Sequence, residues 1–152
     1  MNTLNFLETL YATEVKFLNL FFNSIRFPKT SYPLTNSSAR TLLLLHYQTE
    51  MPMSELAEKL HLEKGSFTAV AKKLETAGLI QRITPTEDRR KVLIRLTASG
   101  NKTAKVVLEH YVDQINDVFE KMTPEVRNAL VKTVEQLDND LNYAMVQVHA
   151  KG

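Results

Sequence analysis

Between Lys59 and Lys105 the chain carries eleven lysines and arginines against four acids, a surplus of +7 that leaves −5 for the rest of a chain of net charge +2. A basic block between acidic flanks is the footprint of a polyanion-binding face. A charged surface that merely keeps the chain soluble would look similar. Two clusters sharpen the first reading. Lys64, Lys72 and Lys73 share a segment with Gly65, Ser66, Thr68 and Ala69, and Asp88 is followed by Arg89, Arg90 and Lys91. Small residues at the leading end of a helix let it approach base edges in a major groove. Serine and threonine there can hydrogen-bond bases or phosphates, and the helix N-terminus itself favours phosphate. Gly65 weakens a helix but permits close backbone approach. An ordinary amphipathic helix with lysines on its wet face is the alternative. The Asp88–Lys91 run is suited to reaching past that helix and laying an arginine in a minor groove. A carboxylate beside arginines can hold one guanidinium by a two-point pair; a solvated loop with local ion pairs is the plainer account.

Other chemistries find little support. The chain has no cysteine, so disulfides, thiolate catalysis and Cys-based zinc sites fall away together. There is no phosphate-cradling glycine loop, no HExxH and no G-x-S-x-G. Neither catalysis nor a cofactor is expected. The histidines His46, His61, His110 and His149 are scattered. Glu109 and His110 are adjacent, and adjacent helix residues point apart, so no metal site is expected from them. No signal peptide and no apolar run of about 20 residues is visible, which leads to the expectation of a cytoplasmic protein away from membranes.

The elements that must position the two clusters follow from periodicity and breakers. Apolar residues recur at helical spacing over 4–26, including Leu4, Leu7, Tyr11, Leu18, Phe21 and Ile25, with Leu10, Phe17 and Leu20 widening the face. Pro28 to Pro33 forms a loop. Thr35 caps a helix running to about Tyr47, with Leu42, Leu43 and Leu45 inward. Met51-Pro52-Met53 is too short for more than a stub of strand. Ser54 caps a short helix over 55–60 that turns inward Leu56, Ala57 and Leu60. His61 to Lys64 makes a turn, and the next helix spans about Lys64 to Ala77, burying Phe67, Val70 and Leu74 and stopping at Gly78. Strands follow over 79–83 and 92–96, with the charged loop between them.

A long helix is expected over about 101–121. Thr123-Pro124-Glu125 reads as a restart: N-cap, proline at the first helical position, then an acid. The final helix carries Val126, Leu130, Val134, Leu137, Leu141, Ala144 or Met145, and Val148 at heptad-like spacing. So much apolar helix exceeds what a small central core can cover, and a two-fold dimer is the common solution.

Leu34-Thr35, Ser54-Glu55-Leu56-Ala57, Lys73-Leu74-Glu75, Gly78-Leu79-Ile80 with Arg82, Asp88-Arg89-Arg90, Leu96-Thr97 and Gly100 occur in order. This ordered set, over roughly residues 34–100, resembles the winged-helix pattern of MarR-type regulators; the flanking helices resemble that family's dimerisation region by pattern alone. The resemblance implies a mostly α chain with a small β-hairpin wing (α+β), a winged helix–turn–helix flanked by helical dimerisation segments. It divides as 1–33, 34–100 and 101–152. It further implies a homodimeric transcription factor, usually a repressor, that binds a pseudo-palindromic operator in double-stranded DNA and is released by a small-molecule effector. Carried over by position, the helix from Lys64 reads the major groove, Asp88 steadies the wing and Arg90 enters the minor groove. Candidate DNA contacts are therefore Ser54, Lys64, Gly65, Ser66, Thr68, Ala69, Lys72, Lys73, Asp88, Arg89, Arg90 and Lys91. An effector pocket between dimer helices and DNA-binding lobe is a family expectation, with Phe17, Phe21, Tyr47 and Tyr111 as candidate lining or as plain core. Leu62 to Glu75 also resembles the organic-hydroperoxide branch, which senses with an N-terminal cysteine that this chain lacks. A metal-responsive regulator of the same fold and a non-catalytic protein-interaction module are the competing readings.

Overall fold

The computed structural model describes residues 2–21, 26–85 and 91–149. The order of elements is α1 (Thr3–Phe21), α2 (Asn36–Gln48), β1 (Glu50–Pro52), α3 (Met53–Lys59), α4 (Lys64–Thr76), β2 (Ile80–Ile83), β3 (Leu93–Leu96), α5 (Ala98–Glu120) and α6 (Pro124–His149). This is a mostly helical chain with a small antiparallel sheet, as expected. The described residues fall into two compact units, one within Phe22–Asp113, the other within Met1–Phe21 plus Gln114–Gly152.

The first unit is the winged helix. Its core gathers Leu42 and Leu45 of α2, Leu56 and Ala57 of α3, Phe67, Ala71 and Leu74 of α4, Leu79, Ile80 and Ile94 of the sheet, and Ala104 of α5. Phe67, Leu74 and Ile94 are fully excluded from solvent, and burial of such side chains contributes about 1.5–3 kcal/mol each. Ala71, rather than Val70, completes the inward face of α4, while Val70 packs at the core's edge. Leu43 of α2 is likewise only half-buried. Buried Ser38 and Thr41 of α2 stay satisfied: Ser38 closes a capping box with Thr35, and the Thr41 hydroxyl donates to Ser37 O at 2.7 Å.

The expected stub of strand is real. β1 pairs with β3 in the register Glu50–Arg95, Met51–Ile94 and Pro52–Leu93, and β3 also pairs with β2, giving the order β1-β3-β2. This pairing corrects one expectation. Ser54 does not cap α3. The Met53 N–H donates to Val92 O at 2.9 Å, Pro52 stands at the N-cap without a side-chain bond, and the helix begins at Met53. The β1 ladder fixes the chain up to Pro52, so the helix starts as soon as the ladder ends. A second correction concerns α5, which starts at Ala98 rather than Asn101. Thr97 caps it, its Oγ1 accepting the Gly100 N–H at 3.0 Å.

At the foot of the hairpin the chain crosses itself closely. Gly78 sits at φ 69° and ends the α4 segment. The Thr97 hydroxyl donates to Gly78 O at 2.6 Å and the Thr97 N–H to Leu79 O at 3.1 Å. A Cβ on Gly100 would lie 1.8 Å from Leu79 O. Only glycine lets α5 start against this strand.

In the second unit, Phe17 and Phe21 pack ring to ring at 4.9 Å, and Phe21 meets Phe119 edge-on at 5.9 Å. Many large apolar side chains remain in solvent. On α1 they include Leu4, Leu7, Leu10, Tyr11 and Leu18, and on α6 Val126, Val134, Leu137, Leu141, Met145 and Val148. Among the described residues no helix is long and apolar enough to cross a membrane.

Candidate nucleic-acid interface

The site is built on α4. Its inward face is apolar, so the residues between must point outward: Lys64, Gly65, Ser66, Thr68, Ala69, Lys72 and Lys73 are all exposed. Lys64, Thr68 and Lys72 recur at steps of four and form one row along the helix. None of the three lysines makes an ion pair among the described residues. Nothing lies within 4 Å of a Cβ built on Gly65, so the leading end of the helix is open. Glu63 stands at the N-cap without a side-chain bond to the helix. The first turn thus presents backbone N–H groups to solvent, the arrangement that suits an anion.

Three of the candidates meet at one place. Ser54 of α3, Lys64 of α4 and Lys91, just ahead of β3, rim a recess of about 280 Å³ together with Pro52 and Met53. Phe67, Ala57 and Val92 complete its lining. The rim is thus polar and basic over an apolar lining. Ser54, although not a cap, is therefore placed with the lysines. Farther along α4, Lys72, Lys73 and Thr76 border a shallow groove with Ser31 and Tyr32.

The turn between α3 and α4 is held by His61, which takes the left-handed conformation at φ 53°. Asn, Asp and His are enriched there over other side-chain-bearing residues. The Leu62 N–H then returns to Ala57 O at 2.9 Å, closing the turn.

Asp88, Arg89 and Arg90 lie outside the described residues. What is described is the hairpin that carries them: β2 and β3 pair from Ile80–Leu96 to Ile83–Leu93. Two ion pairs fix this hairpin, and sequence reading missed both. Arg82 Nε lies 3.0 Å from Glu75 Oε2, joining β2 to the last turn of α4. Arg95 donates to Glu50 Oε2 through Nη2 at 2.6 Å and Nε at 3.1 Å, joining β3 to β1. The second was recoverable only from the strand register. The first asks for a contact between residues seven apart across a glycine turn, which no periodicity reports. A further contact, His46 Nδ1 to Asn101 Oδ1 at 2.9 Å, joins α2 to the first turn of α5.

Of the four aromatic candidates, Phe17 and Phe21 pack together in one compact unit, whereas Tyr47 and Tyr111 belong to the other. Tyr47 is largely exposed, its ring edge-on to His46 at 5.6 Å. Tyr111 is half-buried; burial pushes its hydroxyl pKa up, against the opposing pull of the Arg40 charge. Among the described residues no group of three or more His, Asp or Glu side chains is placed to hold a metal.

Comparison with known proteins agrees with this geometry. Residues 34–92 match the MarR family. The regulator SarZ of Staphylococcus haemolyticus is 28% identical over 112 residues, 74% of this chain and 76% of that one. The organic hydroperoxide resistance transcriptional regulator of Bacillus subtilis is 41% identical over 59 residues, 39% of this chain and 40% of that one. Among solved structures, BpsR of Bordetella bronchiseptica, described for regulation of its DNA binding by 6-hydroxynicotinic acid, is 20% identical. It superposes with a TM-score of 0.62 over 86% of this chain and 96% of that one. A helix–turn–helix with a small wing is thus the part of the chain that resembles known proteins: residues 34–92, from the loop before α2 to the residue before β3, match the MarR family, and the chain as a whole shares the fold of a protein regulated in its DNA binding.

Proposed function

We propose that the chain acts as a homodimer that binds a pseudo-palindromic operator in duplex DNA through α4 and the wing, and that it represses transcription until a small-molecule effector releases it. The observation that carries this reading is the outer face of α4. Three lysines without ion-pair partners among the described residues flank small and hydroxylic side chains, at a helix end whose first turn is open. Such a face gains from a polyanion and offers short side chains to base edges. Lys91 and Ser54, at the same recess as Lys64, extend the contact to a flanking phosphate.

Dimerisation is supported by the exposed apolar side chains of α1 and α6, a surface that an isolated chain rarely leaves in water. The effector is supported by the BpsR description, in which a small aromatic acid regulates DNA binding. Asp88 and Arg90 act in the wing as the family resemblance implies, with Arg89 and Lys91 as backbone contacts.

The test is a titration of operator affinity against salt for the wild type and for Lys72→Ala, Lys73→Ala and Arg90→Ala. Each lysine removed should weaken binding and flatten the log–log salt slope by about 1. Arg90→Ala should cost roughly 1–3 kcal/mol. A salt-insensitive affinity, or an Arg90→Ala protein that binds as well as the wild type, contradicts the reading.

A further inference from the structure

Thr68 is the one hydroxyl-bearing side chain in the Lys64–Thr68–Lys72 row, and its hydroxyl is already engaged. Oγ1 lies 2.7 Å from Lys64 O. A backbone carbonyl has no proton to give, so the proton of this bond is the threonine's. What Oγ1 still offers outward is lone pairs. The side chain is exposed, and its neighbours on the outer face are Gly65 and Ala69, which leave room for a base edge to come close. Lys64 and Lys72, one turn to either side, are placed to hold the flanking backbone by its phosphates.

We infer that Thr68 is a specificity-determining residue that reads DNA as an acceptor, taking a hydrogen bond from the exocyclic amine of an adenine (N6) or a cytosine (N4) in the major groove. The inference rests on the DNA-binding reading above and deepens it. Every base pair shows one such amine in the major groove, beside the N7, O6 and O4 acceptors. A free hydroxyl could use either kind of group. One whose proton is held by its own helix discriminates between them. Ser66, two residues away and turned to another side of the helix, makes no such bond among those described. Thr76, one turn beyond Lys72, holds its proton in the same way against Lys72 O at 2.9 Å, but Thr68 is the one of the two that lies near the leading end of α4, beside Gly65.

The experiment uses the full-length protein and an operator half-site obtained by selection from random duplex DNA. Thr68→Val keeps the side chain's shape and exposure but loses the hydroxyl; Thr68→Ser keeps the hydroxyl. Affinities are measured on the natural half-site and on half-sites altered one atom group at a time. Purine replaces adenine, or 2-pyrimidinone replaces cytosine, to remove the amine; 7-deazapurines remove N7. Thr68→Val should lose roughly fivefold in affinity on the natural site. It should lose nothing further at the one position where the amine has been removed, and it should still show its full loss when N7 is removed. Thr68→Ser should follow the wild type. A Thr68→Val loss that vanishes on the 7-deaza site instead would mean that Thr68 donates, and it would overturn the inference. So would unchanged affinity of Thr68→Val on the natural site. If the wild type selects no duplex at all, the DNA-binding reading itself fails and this inference with it, a result distinct from the other two.

Discussion

Arg82 Nε sits 3.0 Å from Glu75 Oε2, so the first strand of the wing is tied to the last turn of the helix proposed to enter the major groove. The pair spans the Gly78 turn and lies partly in solvent. Exposed pairs of this kind contribute about 0–1 kcal/mol to stability. Their geometric effect is separate: a groove-reading helix and a wing that straddles the adjacent backbone must hold a fixed angle. Glu75→Gln should leave the melting temperature nearly unchanged while lowering operator affinity several-fold. Thermal unfolding and an affinity titration on the same preparation check this, and equal losses in both would reduce the pair to a stability element.

Gly100 is a packing requirement. A methyl group there would stand 1.8 Å from the Leu79 carbonyl oxygen, and this oxygen also accepts the Thr97 N–H. Neither strand nor helix can shift without breaking the crossing. Gly100→Ala should destabilise the winged unit by at least about 2 kcal/mol, measured by urea unfolding. Gly65→Ala, where a Cβ meets nothing, should be neutral or slightly stabilising in the same assay.

The sequence announced most of this winged unit because its signals are local. Thr35 with Ser38, Gly78 at positive φ, and the spacing of Leu56, Phe67 and Leu74 each report on a few neighbouring residues. Ser54 and the start of α5 were misread for the opposite reason. Both are set by partners distant in the chain, Val92 O for Met53 and Leu79 O for Thr97. The basic outer face of α4 was legible from alternation with the core positions. The Glu75–Arg82 and His46–Asn101 contacts were not, because side chains that meet across a turn or between helices leave no periodic trace. The charged loop by itself suggested an arginine for the minor groove and a carboxylate to hold it, with a plain solvated loop as the alternative; the resemblance to the family singled out Arg90 and Asp88 for those expected roles.

Leu137 and Leu141, one helical turn apart on α6, are both more than half exposed in the single chain. If a second copy covers them, Leu137→Glu should raise the dimer dissociation constant by at least tenfold, since a buried unpaired carboxylate costs several kcal/mol. Sedimentation across a concentration series reads this directly. Operator affinity should fall in parallel, because one winged unit alone engages only a half-site. A variant that stays dimeric would place the interface elsewhere.

Glu125, in the first turn of α6, has its carboxyl held below the usual carboxylate range. Its own backbone N–H donates to the charged form, and the Thr123 hydroxyl adds a second bond. A folded-state pKa below the unfolded one means that the charged form favours the folded helix. The contribution is complete above the unfolded pKa and fades as pH falls through the folded one. In an NMR titration Glu125 should therefore protonate later than an unstructured glutamate on acidification. Thr123→Ala should move the midpoint part of the way back, since the first of the two bonds remains.

The most direct measurement is selection of duplexes from a random pool by the purified protein at physiological salt. Two coupled copies of α4 should recover an inverted repeat whose half-sites are centred about 34–36 Å, or 10–10.5 base pairs, apart. Recovery of no enriched sequence, or of an unrepeated one bound by a monomer, would contradict the account.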